Sequence, residues 1–119
     1  MRRVILESPY AGEIADNIRY ARACVRDSLR RGEAPIASHL LYTQEGILDD
    51  NDPAERQWGI EAGLAWRAVA EATVVYTDRG ISDGMRHGIN AAVQSGIPVE
   101  MRQLADVAHV PAAEGTKNA

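Results

Sequence analysis

Short apolar runs alternate with segments of helical period along this chain, and that alternation limits the folds open to it more than any other feature. Val4-Ile5-Leu6 is a continuous apolar run, the kind that suits a strand buried on both faces. Ser8-Pro9-Tyr10-Ala11-Gly12 breaks it with turn residues. From Glu13 to Arg31 the apolar residues Ile14, Ile18, Ala21, Val25 and Leu29 recur three or four apart, which predicts a helix that Gly32 stops. Ala34 to Ala37 reads as a second, weaker strand, which Pro35 places near an edge or at a strand start. Ser38 to Asn51 reads as a long loop with a helical turn around Leu40 to Tyr42.

Asp52-Pro53-Ala54-Glu55 is a compact helix-start signal, with Asp52 as cap and Pro53 at the first helical position. That helix should run to about Ala70 with Ile60, Leu64 and Ala68 on its apolar face. Thr73 to Thr77 is the clearest strand, β-branched except at Tyr76. Asp78-Arg79-Gly80 ends it, Ser82 caps a helix from Asp83 to Gln94, and Gly96 stops that helix. Ile97 to Met101 reads as a last strand, and Gln103 to Ala108 as a short helix. The order β-α-β-loop-α-β-α-β predicts an α/β fold: a three-layer α/β/α arrangement around a small parallel sheet, Rossmann-like or flavodoxin-like, with right-handed crossovers. A single domain should cover residues 1–110, with a flexible tail over 111–119.

Composition narrows the function classes. A formal net charge of −4 argues against a binder of long nucleic acid, which needs surplus Lys and Arg facing phosphates. Arg22, Arg26 and Arg30 form a stripe four apart, which reads first as a solvated helix face. The apolar run near the amino terminus is too short for a signal peptide, and no run reaches membrane-spanning length, so a cytoplasmic protein without membrane contact is expected. Cys24 cannot form an internal disulfide and reads as a small buried side chain. His39, His87 and His109 show no metal-ligand spacing, so neither metal nor cofactor is expected. The chain has no Phe, so any ring that stacks on a ligand must be Tyr or Trp.

In open parallel sheets the ligand crevice lies beyond the carboxyl ends of the strands, where the strand order reverses. Two loops meet that description, Ser8 to Gly12 and Asp78 to Gly84, and in a flavodoxin-like order their strands would be neighbours. Both lead into helix N-termini, whose unpaired N–H groups suit a small anion even in an acidic protein. Ser8 and Ser82 are either helix caps or ligand contacts, and Asp52 is foremost a cap. Asp78 ends a buried strand on the crevice side, and Gly12 and Gly84 let the backbone approach a ligand. Tyr10 is the ring best placed to stack on a base, or else it closes the end of the sheet. Met85 either lines the same wall or fills the core, and Arg56 either reaches a phosphate or pairs with a carboxylate. His39 can approach the pocket from the long loop. Trp58 and Trp66, eight apart, read as packing or interface residues. Gly59 with Gly63, and Gly84 with Gly88, imply close approach of a helix to the sheet or to a second subunit; the latter predicts a homo-oligomer.

Several segments together resemble the nucleoside 2-deoxyribosyltransferase-like superfamily, and within it a branch of short bacterial and phage proteins. They are Ser8-Pro9-Tyr10, Asn17, Ser38-His39-Leu40, Asp49-Asp50, Arg56-Gln57-Trp58-Gly59 and Gly84-Met85; Ser38 stands where the branch has proline. The resemblance runs from Val4 to Met101 and implies a nucleoside or nucleotide ligand contacting Asn17 among others. In the transferases of this superfamily a glutamate on the helix after the third strand attacks the sugar, and an aspartate assists proton transfer. Asn51-Asp52 is similar to the segment carrying that aspartate, and Asp78 to an acidic residue at the end of the third strand. The position of the attacking glutamate falls on Gly88, which has no side chain. The expected function is therefore binding of a small nucleotide or nucleoside derivative, for instance a nucleotide signal sequestered without turnover. The alternative is an N-glycosidase or deoxyribosyltransferase with relocated acids, drawn from Asp52, Asp78 and Asp83.

Overall fold

A computed structural model describes residues 1–104 of the chain. Four parallel strands form one sheet: β1 (Arg2–Glu7), β2 (Glu33–Ile36), β3 (Ala72–Tyr76) and β4 (Val99–Arg102), in the order β2-β1-β3-β4. The α/β class and the parallel sheet are as the sequence predicts, and the order is the flavodoxin-like one in which β1 and β3 are neighbours. Ile5 lies opposite Thr73 and Glu7 opposite Val75, so the ends of β1 and β3 are level. Pro35 sits in β2, an edge strand, as its missing N–H requires.

The helices are α1 (Ile14–Arg30), α2 (Ser38–Leu41), α3 (Pro53–Ala65) and α4 (Asp83–Gln94), with a 3-10 turn at Trp66–Val69. The expected short helix from Gln103 to Ala108 and the tail over 111–119 fall, from residue 105 on, outside the described residues. No described helix is long and apolar enough to cross a membrane.

The two faces of the sheet are built differently. Val4, Leu6, Val74 and Tyr76 point to the α1 side and form an apolar cluster with Tyr20, Cys24, Ala37 and Ala72. A closed polar network borders that cluster. Arg102 donates to both carboxylate oxygens of Glu33 at 2.8 and 2.9 Å, and Arg2 donates to Glu33 and Glu100 at 2.7 and 2.6 Å. Ser28 donates to Glu33 and the Tyr76 hydroxyl to Asp27, at 2.7 and 2.6 Å. Arg102 and Arg2, with the Ser28 hydroxyl, hold Glu33 well down, to about 2.

Ile5, Glu7, Thr73 and Val75 alternate onto the opposite face, against Met85, Gly88 and Ala92 of α4. Here the expectation for α3 needs correction. It was to bury Ile60, Leu64 and Ala68, yet no residue of α3 is buried and Ile60 is exposed. α3 leans on α2 and the 3-10 turn instead of on the sheet. Its glycines explain the lean: a Cβ at Gly63 would stand 2.7 Å from Ser38 Oγ, and one at Gly59 would stand 3.0 Å from a Leu48 methyl carbon. Those two glycines thus serve contacts within the chain. The uncovered sheet leaves an apolar groove of about 350 Å³ bounded by β1, β2, Trp66 and Val69.

Candidate functional site

The strand order reverses between β1 and β3, and the loops after these strands meet there. The first loop leaves β1 with Ser8 and Pro9 buried and Tyr10 half-buried. Asn17 fastens it: the side-chain amide donates to the carbonyls of Tyr10 and Ala11, both at 3.0 Å. Asn17 is itself buried, so it positions the loop by spending its amide hydrogens on the backbone. Gly12 turns the chain into α1 with a positive φ of 97°, a conformation that costs an L-residue about 1–2 kcal/mol. α1 then begins at Ile14 with no side-chain cap; the Ile14 N–H donates to the Gly12 carbonyl at 2.9 Å, and the N–H groups of Ala15 and Asp16 have no partner among the described residues.

The second loop is the contrary case. Gly80, φ 81°, makes the turn after β3, and Ser82 caps α4 by accepting from Met85 N at 3.3 Å while Met85 Sδ accepts from Ser82 N. Met85 is therefore no ligand wall: it is 1% exposed, its thioether locked under the cap and packed in the core. Gly84 has room around it. Asp78 is exposed but committed, accepting from the Tyr20 hydroxyl at 2.6 Å and from Leu104 N at about 3 Å. It ties α1 to the segment after β4. Arg79, which sequence reasoning passed over, stacks its guanidinium 5.3 Å from the Tyr20 ring centre and brings a positive charge to this loop.

His39 stands on α2, at the end of the neighbouring strand β2, and its Nε2 lies 2.6 Å from Ser8 Oγ. Burial holds the imidazole neutral, with its pKa pushed down to about 4, so the pair is a hydroxyl and a neutral ring sharing one hydrogen bond. Ser8 and His39 are thus brought together just beyond the ends of β1 and β2. Asp52 and Arg56 are not brought there by any described contact. Asp52 caps α3, accepting from Ala54 N and Glu55 N, and Arg56 is exposed 3.9 Å from Asp50. Asp83 is exposed in the first turn of α4.

The residue that the sequence gives least notice of is Glu7, the last of β1. Its carboxyl turns under α4, where a Cβ at Gly88 would stand 2.2 Å from Oε2 and 2.6 Å from Cδ. Position 88 thus has no side chain because a carboxyl from β1 already fills the space. Desolvation pushes the Glu7 pKa up to about 7, against the pull of the Arg67 charge nearby. Arg67 comes from the 3-10 turn, is 7% exposed and donates to the Gly88 carbonyl at 3.4 Å, while its Nε makes no hydrogen bond. Thr73 Oγ1, buried on the same face, also has no partner. An acid closing an apolar strand run, Val4-Ile5-Leu6-Glu7, is the only trace this arrangement leaves in the sequence.

Residues 2–102 match the family described as Domain of unknown function (DUF7768). The chain belongs to that family. No curated protein sequence matches it. The fold of this DUF7768 domain is similar to a solved structure of a 2-deoxyribosyltransferase from the psychrotolerant bacterium Bacillus psychrosaccharolyticus, with TM-score 0.67 and 16% identity over 85% of this chain and 72% of that one. At that identity the likeness is one of fold alone. Among the described residues of the DUF7768 chain no group of three or more His, Cys, Asp or Glu is arranged to hold a metal ion.

Proposed function

We propose that this domain binds a small nucleoside or nucleotide derivative in the crevice between the loops following β1 and β3. The observation that carries the reading is the uncapped N-terminus of α1 beside the strand-order reversal, while α3 and α4 have their caps in place. A phosphate there would accept from the Ala15 and Asp16 N–H groups of α1, with Arg79 supplying charge from the facing loop. Tyr10 would stack on the base, Ser8 and His39 would offer the hydroxyl and ring nitrogen, and Gly12 and Gly84 would allow close approach. The likeness of fold to a 2-deoxyribosyltransferase favours a nucleoside over other small anions. Sequestration of a nucleotide signal without turnover is the form of this reading we favour.

Calorimetric titration of nucleosides and nucleotides, with recovery of the ligand afterwards, tests it. Binding with the ligand recovered unchanged is the expected result, and no binding across the panel would overturn it. Recovery of free base would establish instead the N-glycosidase or transferase reading. For that second reading Asp78 has both oxygens engaged by Tyr20 and Leu104 and Asp52 has one engaged by its helix cap, whereas Glu7 accepts no hydrogen bond among the described residues. We also propose a homo-oligomer: Trp66 and Val69 are exposed at the apolar groove, and Trp58 is exposed on α3. A monomer in light scattering at micromolar concentration would contradict this.

A further inference from the structure

We propose that Glu7 and Gly88 form a transposed pair: the acid that contacts the ligand is delivered into the crevice from the end of β1, and position 88 is glycine to admit it. The ligand group it takes is a hydroxyl, on the nucleoside reading a sugar hydroxyl, and to that extent the inference rests on that reading. Three observations support the assignment. The Glu7 carboxyl lies where the side chain of residue 88 would begin, so the two positions exclude each other. The Gly88 backbone is held by Arg67, a 7% exposed arginine whose Nη2 donates to the Gly88 carbonyl and whose Nε is left without a partner. Among the described residues no hydrogen bond satisfies the Glu7 carboxyl, although the carboxylates of the α1 face are each matched to donors.

Chemistry selects the ligand group. A phosphate would be repelled by an ionised Glu7 and belongs at the α1 N-terminus instead. A hydroxyl donates to the carboxylate and accepts from the carboxylic acid, so it satisfies Glu7 in either protonation state. The half-buried Glu7 carboxyl makes no hydrogen bond within the described residues, so its oxygens are left for a ligand hydroxyl or water to complete. Arg67 acts here as a positioning residue, through Gly88 and through its charge.

Calorimetry with the four ribonucleosides and their 5′-monophosphates, on wild type and three variants, tests the inference. Glu7→Gln, which keeps shape and removes the acid, should remain folded and weaken binding at least tenfold. Gly88→Ala should also remain folded, because the group it displaces is the far end of a flexible side chain, yet weaken binding similarly by pushing the carboxyl aside. The exchange Glu7→Gly with Gly88→Glu, which returns a carboxyl to the same space from α4, should recover affinity to within about threefold of wild type. If wild type binds and Glu7→Gln stays within twofold of it, the transposition is overturned while the nucleoside reading stands. If wild type binds none of the eight compounds, the nucleoside reading fails, and the ligand assigned to Glu7 fails with it. Circular dichroism melts of each variant separate lost binding from lost folding.

Discussion

The two faces of this sheet answer to different demands. On the α1 face Val4, Leu6, Tyr20, Cys24, Val74 and Tyr76 pack together, and the charges beside them are matched carboxylate to guanidinium. On the α4 face a carboxyl without hydrogen bonds among the described residues, an unpartnered arginine Nε and an unpartnered threonine hydroxyl sit beside Val75 and Met85, and no residue of α3 is buried. Satisfied polar networks stabilise and fix a fold, whereas unsatisfied ones are tolerated where a ligand or water completes them. On the reading proposed above, the closed network serves stability while the Glu7 carboxyl is left for a ligand, and each assignment can be broken by mutation.

The largest effect should come from the closed network. Arg102→Ala leaves Glu33 buried without its principal partner, and removing one member of such a pair costs about 3–5 kcal/mol, read as a fall in the urea midpoint. A loss below about 1 kcal/mol would show that the network is not what closes this face. Leu6→Ala, 1% exposed in the same cluster, should cost about 2–5 kcal/mol.

Acidity separates the faces by sign. Glu33 is lowered in the fold, so its stabilisation is present above pH 4.5 and lost as pH falls toward 2. Glu7 is raised, so the native state holds its proton; that contribution is whole below pH 4.5 and is lost as pH rises through about 7. Glu7→Gln should therefore match wild type in stability near pH 4 and exceed it at pH 8. The excess should be on the order of 2 kcal/mol, reduced from the full shift because Glu7 is only half-buried. Denaturation curves at the two pH values that shift in parallel would refute the assignment. Smallest of all, Thr73→Val deletes a buried hydroxyl with no partner and should be neutral or stabilising by up to about 1 kcal/mol. A clear loss would mean that this hydroxyl is already satisfied and that the α4 face is less open than described.

Much of the scaffold is written locally. Apolar runs mark β1 and β3, Asp52-Pro53 and Ser82 mark helix starts, and Pro35 marks an edge strand; each follows from a residue's own backbone or packing preference. The loops after β1 and β3 are legible for the same reason. What escaped was tertiary. The apolar period in α3 suggests burial, but Ser38 and Leu48 draw the helix against α2 and its loop through Gly59 and Gly63, away from the sheet. Met85 follows a cap serine, yet whether its thioether turns outward or under the cap depends on packing that no spacing records. Gly88 looks like the loss of an acid until β1 and α4 are seen side by side, 81 positions apart in sequence, with Glu7 in the gap.

The most direct test is nuclear magnetic resonance mapping of a nucleoside 5′-monophosphate titrated into isotopically labelled protein. The account predicts shifts at Ser8 to Gly12, in the first turn of α1, at Arg79, and at Glu7 and Gly88 together, with the α1-face core unmoved. Shifts confined to the apolar groove at Trp66 and Val69, or affecting the crevice loops while Glu7 and Gly88 stay silent, would contradict it.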